Sequence, residues 1–371
     1  MKILYWTDLF LPYIGGIETF SMDLIPALQA RGHEVTVVTS ELTQDHPTVE
    51  ELNGIPVHRF PTWHALRTNN LKLLMSSHRA IIDLKRQFDP DVAHLHFGAT
   101  AYTFMHTQRP VRTPTLTTVH TVPDTSFLQS SLFSKLVAES AHVNAVSAHG
   151  FRRLSDAFPE ATGRLSYVYN GLGPTAHRSV EVVPPSFEEP IILCLGRLTE
   201  QKGFDLALKA FARSQGAIPN ARLMIVGQGD QETALKQLTK ALEIESKVDF
   251  TGPVPPQDVY EVINRATMLL MPSRFEGLPL VAMQAARMER PMISSDVDGL
   301  PELIVDEQSG LVLKENNEDE LAKAIVYMVR NPDHAVAMGK AAALRLAERF
   351  DFDKCVDQYE QLYRQTVSQG Q

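Results

Sequence analysis

The sequence contains very little cysteine and no long run of apolar residues. Only Cys194 and Cys355 occur among its 371 residues, which excludes a disulfide framework and a cysteine-rich zinc site. No apolar run approaches the ~18 residues that a membrane-spanning helix needs. The first apolar stretch ends at Thr7, too early for a secretion signal. We therefore expect a cytoplasmic protein.

An excess of positive charge is also absent. The chain has 35 Lys and Arg residues against 44 Asp and Glu residues, a formal net charge of -9. Sequence-independent binding to nucleic acid depends on Lys and Arg contacts with phosphates, so we expect no nucleic-acid partner. Hydrophobic residues make up 44% of the chain, which is typical of a globular protein. The length favours two domains, because single cores stop growing at about 250–300 residues.

Short β-rich apolar runs alternate with longer amphipathic segments along the chain. This alternation predicts α/β domains with parallel sheets built from βαβ units. A stretch rich in proline and acidic residues over 182–190 interrupts the alternation, which then restarts. We predict two Rossmann-like, doubly wound domains that face a central cleft, one over 1–183 and one over 184–350. A C-terminal helix over 351–371 could pack back across the linker.

Two glycine pairs follow predicted strands. Gly15 and Gly16 precede a helix, where glycines let backbone N–H groups approach a phosphate, although a plain turn explains this pair equally well. Gly227 and Gly229 begin a sequence close to the dinucleotide fingerprint G-x-G-x-x-G, but its third glycine is replaced by Glu232. The incomplete fingerprint gives only weak support to chemistry on NAD.

Two loops of the second half carry charged residues suited to a nucleotide sugar. Arg197 and Lys202 follow Gly196 on a short loop that opens a helix, and two cations at a helix N-terminus suit a diphosphate. Glu276 follows a later strand, and Gln284 lies eight residues further on. That spacing spans about 12 Å in a helix, comparable with a nucleotide sugar. Solvated loop charges and a helix cap are the alternative interpretation.

Histidines end two predicted strands of the first half, His96 and His120. At the carboxyl end of a parallel strand, each would point into the cleft and could donate a hydrogen bond or stabilise developing charge. A core histidine with ordinary hydrogen-bond partners is the competing interpretation. Asn170 and Gly171 close a later strand, either as a turn or as a ligand contact.

The acidic residues do not indicate a metal site, and one segment is locally basic. Asp296 and Asp298 form the only Asp-x-Asp pair on the cleft side of a predicted strand, a spacing too common to predict a metal. We expect no metal and no cofactor. Segment 65–88 carries five cations against Asp83 alone: Arg67, Lys72, Arg79, Lys85 and Arg86. It could dock on anionic lipid at the inner face of a membrane or on a phosphorylated acceptor, although a solvated helix face is the simpler explanation.

Taken in order, these motifs resemble the retaining glycosyltransferases of family 4, also described as glycosyl transferases group 1. The resemblance covers about residues 1–350. It includes Gly15-Gly16, His120, Asn170-Gly171, Gly196-Arg197 with Lys202-Gly203, Gly227-x-Gly229, Pro272-Ser273 with Glu276-Gly277, and Gly299-x-Pro301-Glu302. It implies a GT-B fold, with the activated sugar on the C-terminal domain and the acceptor on the N-terminal one. Enzymes of this type do not need a bound metal.

The resemblance also implies roles for the matching residues. Arg197 and Lys202 would bind the diphosphate and stabilise its charge as it leaves. Glu276 and the backbone N–H groups of 277–280 would hold the donor sugar and the distal phosphate, and His120 would contact the sugar near the reacting carbon. The donor-binding candidates are Gly15, Gly16, Asn170, Gly196, Gly227, Val254, Gly277, Leu278, Pro279, Leu280 and Gln284.

Two positions depart from the family pattern. The usual Glu-x7-Glu has Gln284 in place of its second carboxylate, which would accept hydrogen bonds from ribose hydroxyls. An amide can accept one hydrogen bond and donate another, so we expect retained binding of altered strength. Asp298 replaces the first of two glycines in the loop before Pro301-Glu302 and adds a carboxylate near the donor sugar.

The combined expectation is a retaining, metal-independent hexosyltransferase. Its donor would be a nucleotide diphosphate sugar, with UDP favoured and GDP or ADP open because base contacts near 252–254 are largely backbone. Its acceptor would be a hydroxyl on a soluble sugar, a lipid-linked glycan or a small glycoside. Two alternatives stay open: a non-catalytic nucleotide-sugar-binding partner subunit, motivated by Gln284, and another GT-B enzyme such as an epimerase.

Overall fold

The computed structural model describes residues 1–41, 47–173, 180–315 and 317–370, and the chain divides into two compact units. The first unit comprises Met1–Tyr169 and Asp353–Gln371, and the second comprises Asn170–Phe352. The predicted boundary at 183 therefore lies inside the second unit. The reason is local, because the stretch before it is hydrogen-bonded to that unit. Val183 N–H donates to Asn264 Oδ1 at 3.1 Å, and Asn264 Nδ2 donates to the Glu181 carbonyl at 2.8 Å.

The first unit is an eight-stranded sheet flanked by helices. Its strands are β1 (Lys2–Trp6), β2 (Glu34–Ser40), β3 (Val49–Leu52), β4 (Ile55–Phe60), β5 (Val92–His96), β6 (Thr115–Val119), β7 (His142–Ala145) and β8 (Leu165–Tyr167). Its first helices are α1 (Gly16–Ala30), α2 (Thr62–Arg67), α3 (Leu71–Phe88), α4 (Ala101–Gln108), α5 (Thr125–Leu128), α6 (Ser131–Glu139) and α7 (Ala148–Ala157). The strand order is β3-β4-β2-β1-β5-β6-β7-β8, and only the β3–β4 pair is antiparallel.

The second unit is a six-stranded parallel sheet in the order β11-β10-β9-β12-β13-β14. Its strands are β9 (Ile191–Leu195), β10 (Arg222–Val226), β11 (Val248–Gly252), β12 (Met268–Met271), β13 (Met292–Ser295) and β14 (Leu311–Leu313). Its helices are α8 (Phe204–Ser214), α9 (Glu232–Ala241), α10 (Val259–Arg265), α11 (Leu280–Arg287), α12 (Leu300–Leu303), α13 (Glu318–Arg330) and α14 (Pro332–Arg349). Two Rossmann-like units with parallel sheets confirm the predicted α/β fold class.

In each sheet the strand order reverses at one place, which is where ligands bind in doubly wound folds. The reversal lies between β1 and β5 in the first unit and between β9 and β12 in the second. The central strands carry continuous apolar sequences, such as Met268–Met271, and are buried along their length. Sheets covered on both faces require such strands, which explains the apolar runs in the sequence.

The last helix, α15 (Phe352–Gly370), packs on the first unit, to which all of its residues after Phe352 belong. Tyr359 and Tyr363 on this helix are fully buried. The Tyr363 hydroxyl lies 2.8 Å from His94 Nδ1, and Asn144 Nδ2 donates to the Tyr359 hydroxyl at 3.4 Å. The helix therefore completes both the apolar core and the polar interior of the first unit. None of the helices among the described residues combines the length and the apolar character of a membrane span.

We predict that Tyr363→Ala strongly destabilises the first unit. The substitution removes a buried ring and leaves a buried histidine nitrogen without its partner, so we expect a loss of about 3–5 kcal/mol in the free energy of unfolding. Both tryptophans, Trp6 and Trp63, lie in the first unit, so tryptophan fluorescence in a urea titration reports on that unit. Leu71→Ala, at a side chain 71% exposed on α3 of the same unit, should leave the transition unchanged. An unchanged midpoint for Tyr363→Ala would contradict the docking of α15.

Candidate functional site

A buried ion pair joins two loops at the carboxyl ends of β9 and β12. Lys202 Nζ lies 2.5 Å from Glu276 Oε1, and Ser273 Oγ donates to the same carboxylate oxygen at 2.8 Å. The two charged side chains are only 16% and 7% exposed. Salt screens such a shielded pair much less than a surface pair, so each side chain strongly orients the other. The structure thus brings together two residues that the sequence assigned to one donor site.

Further contacts hold these two loops together. Gln201 Nε2 donates to the Phe275 carbonyl at 3.1 Å, and Arg274 N–H donates to the Gln201 carbonyl at 2.8 Å. The Arg274 guanidinium also makes a bidentate pair with Asp205 on α8, at 3.0 and 2.9 Å. A planar guanidinium that binds both oxygens of one carboxylate fixes direction as well as distance. The loops are therefore positioned before any ligand contributes.

Two glycines allow the backbones at this edge of the sheet to approach closely. Gly203 has φ +64°, and a Cβ there would lie 2.0 Å from the Pro272 carbonyl oxygen. Gly227 has φ +138°, and a Cβ there would lie 1.9 Å from the Gly196 carbonyl oxygen. Any side chain would have to displace backbone at both positions. The structure therefore supplies a packing reason for Gly227, which the sequence analysis named as a donor contact.

Asp298 holds the backbone of Glu276, one partner of the ion pair. Its Oδ2 accepts a hydrogen bond from the Glu276 backbone N–H at 2.7 Å, and its own φ of +47° lies in the left-handed region. This φ explains why the family pattern has glycine here. The other candidate metal ligand, Asp296, is exposed. Among the described residues, no group of three or more His, Cys, Asp or Glu side chains is placed to hold a metal ion.

The start of α11 lies directly after Glu276 and presents backbone donors. The N–H groups of Gly277 and Leu278 make no hydrogen bond to the described part of the chain. Pro279 has no N–H and precedes the first helical residue, Leu280, so it supplies shape rather than a donor. Free N–H groups at a helix N-terminus favour an anion. Gln284, on the same helix, is 7% exposed and so does not lie on the outer helix surface.

The remaining second-unit candidates differ in exposure. Arg197 is exposed, and its guanidinium makes no hydrogen bond or ion pair to any residue that the structure describes. Val254 is half-buried in the loop after β11. Asn170 is buried, and its Oδ1 accepts no hydrogen bond from the described residues. Arg197 could therefore bind an anion without breaking a hydrogen bond or ion pair to the described residues.

In the first unit, the candidate glycines begin helix α1. Gly15 is the N-cap residue, and a Cβ there would lie 2.4 Å from Glu18 Oε2. Gly16 has no atom within 4 Å of a Cβ position. The loop before them is held by the buried Arg59 guanidinium, which donates to the Leu11 carbonyl. A side chain at Gly15 would therefore require the Glu18 carboxylate to move, whereas one at Gly16 would meet open space.

His120 belongs to a cluster of three histidines on the first sheet. Its Nε2 lies 2.7 Å from His96 Nδ1, and the two rings are nearly parallel with centroids 5.0 Å apart. The His94 ring lies 4.2 Å from that of His96. Burial lowers the pKa of His120 to about 4 and that of His94 to about 3, with repulsion from His120 a smaller cause for His94. Burial, with repulsion from both neighbours, lowers the pKa of His96 well below its ordinary value.

These pKa values narrow what His120 can do. At neutral pH its imidazole is uncharged, so it can donate a hydrogen bond but cannot place a full positive charge beside a ligand. Sequence reasoning did not single out His94, nor the support that Ser273 and Asp298 give to Glu276. For Ser273 the sequence offered two signals: its place in the Pro272-Ser273 motif and its position three residues before Glu276, which is compatible with a loop hydrogen bond.

Two family models together match most of the chain. Residues 180–345 match the model described as Glycosyl transferases group 1, and residues 14–175 match the model described as Glycosyltransferase Family 4. The chain is a family 4 glycosyltransferase of the GT-B type. The resemblance inferred from the motifs is thereby confirmed.

Relatives and solved structures agree with this assignment. The glycosyltransferase is 25% identical to a glycogen synthase of Mycobacterium tuberculosis, over 94% of this chain and 91% of that protein. It is 28% identical to a D-inositol 3-phosphate glycosyltransferase of Corynebacterium aurimucosum, over 48% of this chain and 44% of that protein. Its fold is similar to that of sucrose-phosphate synthase from Thermosynechococcus elongatus, with a TM-score of 0.85, 20% identity and 99% of each chain covered. An Anabaena protein in complex with UDP-glucose has a TM-score of 0.76 and 18% identity, with 97% of this chain and 98% of that one covered.

We predict that the first unit loses stability as the pH falls below about 6.5. Because burial depresses the pKa values of His94, His96 and His120 in the folded state, the unfolded chain binds protons that the folded one does not. Each such histidine then lowers the free energy of unfolding by up to about 1.4 kcal/mol per pH unit. Urea titrations followed by tryptophan fluorescence at several pH values between neutral and acidic will measure the slope.

The matched variants are His94→Gln and, at an exposed histidine of α2, His64→Gln. We expect His94→Gln to flatten the pH dependence and His64→Gln to leave it unchanged. Equal slopes for the wild type and His94→Gln would show that the buried cluster does not cause the acid sensitivity.

Proposed function

We propose that the chain transfers a hexose from a nucleoside diphosphate sugar to a hydroxyl acceptor, with UDP as the favoured nucleotide. The transfer proceeds with retention of configuration at the anomeric carbon and needs no metal. The contact that carries this proposal is the Lys202–Glu276 pair at the strand-order reversal of the second sheet. A cation suited to diphosphate and a carboxylate suited to sugar hydroxyls lie side by side there, as the two halves of a nucleotide sugar require. The solved structure of the Anabaena protein with UDP-glucose supports a donor of this class.

The donor contacts follow from the hydrogen-bonding capacity of each group. Lys202 has three N–H donors and directs one at Glu276, which leaves two for phosphate oxygens. Arg197 can add a bidentate contact without breaking an existing one. The N–H groups of Gly277 and Leu278 add neutral donors at a helix start. Glu276, held by Ser273 and Lys202, then accepts hydrogen bonds from sugar hydroxyls with its remaining lone pairs.

These groups suit transfer on a single face of the sugar. The bond between the anomeric carbon and the phosphate oxygen breaks, and the electron pair leaves with the diphosphate. The acceptor hydroxyl oxygen then bonds to the oxocarbenium-like carbon from the same face, and the departing phosphate oxygen takes the hydroxyl proton. No protein nucleophile is needed, and catalysis consists of positioning and stabilisation of charge.

The proposed independence from metal has a specific basis. Lys202, Arg197 and the α11 N–H groups already supply positive potential for the diphosphate. Asp298, the better placed of the two candidate ligands, is committed to the Glu276 backbone. A carboxylate that must hold a loop is poorly suited to a metal that would draw it away.

We also propose that helix α3 docks on an anionic membrane that carries a lipid-linked acceptor. Leu71 and Met75 are 71% and 63% exposed and lie one helical turn apart, with Lys72 and Arg79 also exposed on this helix. Exposed apolar side chains among cations suit an anionic lipid surface. Lys85 does not contribute, because it is fully buried and donates to Gln108 Oε1 and the Val111 carbonyl.

We predict that Lys202→Ala and Glu276→Ala each lower kcat/KM for sugar transfer by about 100-fold or more, since each removes a group that stabilises the departing charge or the sugar. The assay measures release of the nucleoside diphosphate from UDP-, GDP- and ADP-sugars in the presence of sugar and lipid-linked acceptors, with and without EDTA. Lys236→Ala, which removes an exposed ion pair with Glu232 on α9, is the matched control and should retain activity.

The outcomes separate the competing functions. Turnover that survives EDTA and yields a product with retained configuration supports the proposal, whereas loss of turnover with EDTA contradicts metal independence. Nucleotide binding without turnover on any acceptor favours the non-catalytic partner subunit. A changed sugar still attached to the nucleotide favours an epimerase. Near-normal activity of either alanine variant would overturn the roles given to Lys202 and Glu276.

For the membrane proposal, we expect the wild-type protein to float with phosphatidylcholine vesicles that contain phosphatidylglycerol and not with phosphatidylcholine alone. The double variant Lys72→Glu/Arg79→Glu should lose this binding, because it reverses the charge beside Leu71 and Met75. Arg86→Glu is the control on the same helix, since Arg86 is already paired with Asp83. Equal flotation of all three proteins, or none, would refute docking through α3.

A further inference from the structure

The contact between His96 and His120 has no part in the transfer proposed above. His96 is the last residue of β5, and His120 directly follows β6, the parallel neighbour of β5. The 2.7 Å separation of His96 Nδ1 and His120 Nε2 leaves room for one hydrogen atom. Since both rings are neutral at neutral pH, one of the two nitrogens carries the proton and the other accepts it.

The position of that proton decides what His120 presents to a ligand. If His120 Nε2 carries it, His120 Nδ1 is a bare lone pair and therefore an acceptor. If His96 Nδ1 carries it, His120 must hold its own proton on Nδ1, which then becomes a donor. His120 Nδ1 makes no hydrogen bond to the described residues, and His120 is only partly buried. Whether His120 Nδ1 is a donor or an acceptor is therefore decided by the proton shared between His120 Nε2 and His96 Nδ1.

The surroundings of His96 favour one of these two arrangements. Its second nitrogen, Nε2, is buried and has no hydrogen-bond partner among the described residues. His94 cannot provide one, because its two ring nitrogens are engaged by the Tyr363 hydroxyl and by Thr118 Oγ1, each at 2.8 Å. A proton on His96 Nε2 would thus be a buried donor without an acceptor. For backbone groups, unpaired buried donors are rarer than unpaired acceptors, and the same preference places the His96 proton on Nδ1.

We propose that His96 is a positioning residue that donates from Nδ1–H to His120 Nε2 and so holds His120 as the tautomer protonated on Nδ1. Given the transferase function proposed above, His120 Nδ1–H is then a permanent donor for an oxygen of a sugar ligand. The opposite tautomer would turn a lone pair toward the same oxygen and repel it. Tyr5, whose ring centroid lies 4.5 Å from that of His96, keeps the His96 ring in place.

The test reads the tautomer directly and needs no substrate. Protein labelled with ¹⁵N at histidine gives separate NMR signals for protonated and bare ring nitrogens, and His120→Gln assigns the His120 signals. We expect wild-type His120 to be protonated on Nδ1. His96→Leu should convert its signals to a mixture of tautomers, and His96→Asn, which can keep an amide donor near the original Nδ1, should restore the wild-type form. Wild-type His120 protonated on Nε2, or an unchanged tautomer in His96→Leu, would overturn the proposal.

Kinetics then separate positioning from a merely structural role. We expect His96→Leu to lower kcat by about tenfold or more with little change in the KM for the donor, and His96→Asn to recover most of the loss. Equal losses in both variants would indicate a packing role and would count against the proposal. If the NMR result is as expected but no nucleotide sugar is turned over, the transferase proposal fails and the tautomer assignment stands. A far-ultraviolet circular dichroism spectrum equal to that of the wild type is required of each variant.

Discussion

The candidate donor site is organised around one shielded ion pair, between Lys202 and Glu276. Two charges removed from water are costly unless each meets the other and its remaining hydrogen-bonding groups are also satisfied. The second unit meets this requirement with contacts from several elements: Ser273 on the carboxylate, Asp298 on the backbone behind it, and Gly203 where the two loops touch. Parallel strands make the arrangement possible, because their carboxyl ends bring together loops that are 74 residues apart.

Sequence reasoning reached the fold class for a physical reason, and it placed the candidate charged residues on the loops after the strands. Buried parallel strands need continuous apolar runs, and the loops after them carry the ligand-binding side chains, so both leave local signals. Contacts between distant segments leave no such signal. The burial of Lys85 depends on carbonyls some 20 or more residues away, and the extent of the second unit depends on Asn264 binding the linker. The need for glycine at position 227 also comes from a distant segment, because a side chain there would collide with the Gly196 carbonyl oxygen.

The two units use polar groups in different ways. At the candidate site of the second unit, oppositely charged side chains at the strand ends hold one another in place. In the first unit, burial keeps the histidines at the strand ends neutral. They can therefore offer hydrogen bonds of fixed direction but no positive charge.

Helix α15 has a consequence for how the protein is made. A ribosome delivers a chain from its N-terminus, and domains usually fold in that order. Here the segment that completes the first unit emerges after the whole second unit, so the second unit can fold while the first still lacks Tyr359 and Tyr363. Until then, part of the first unit's apolar core stays open to solvent and to other nascent chains. The half of the chain that is synthesised first is therefore the half that finishes folding last.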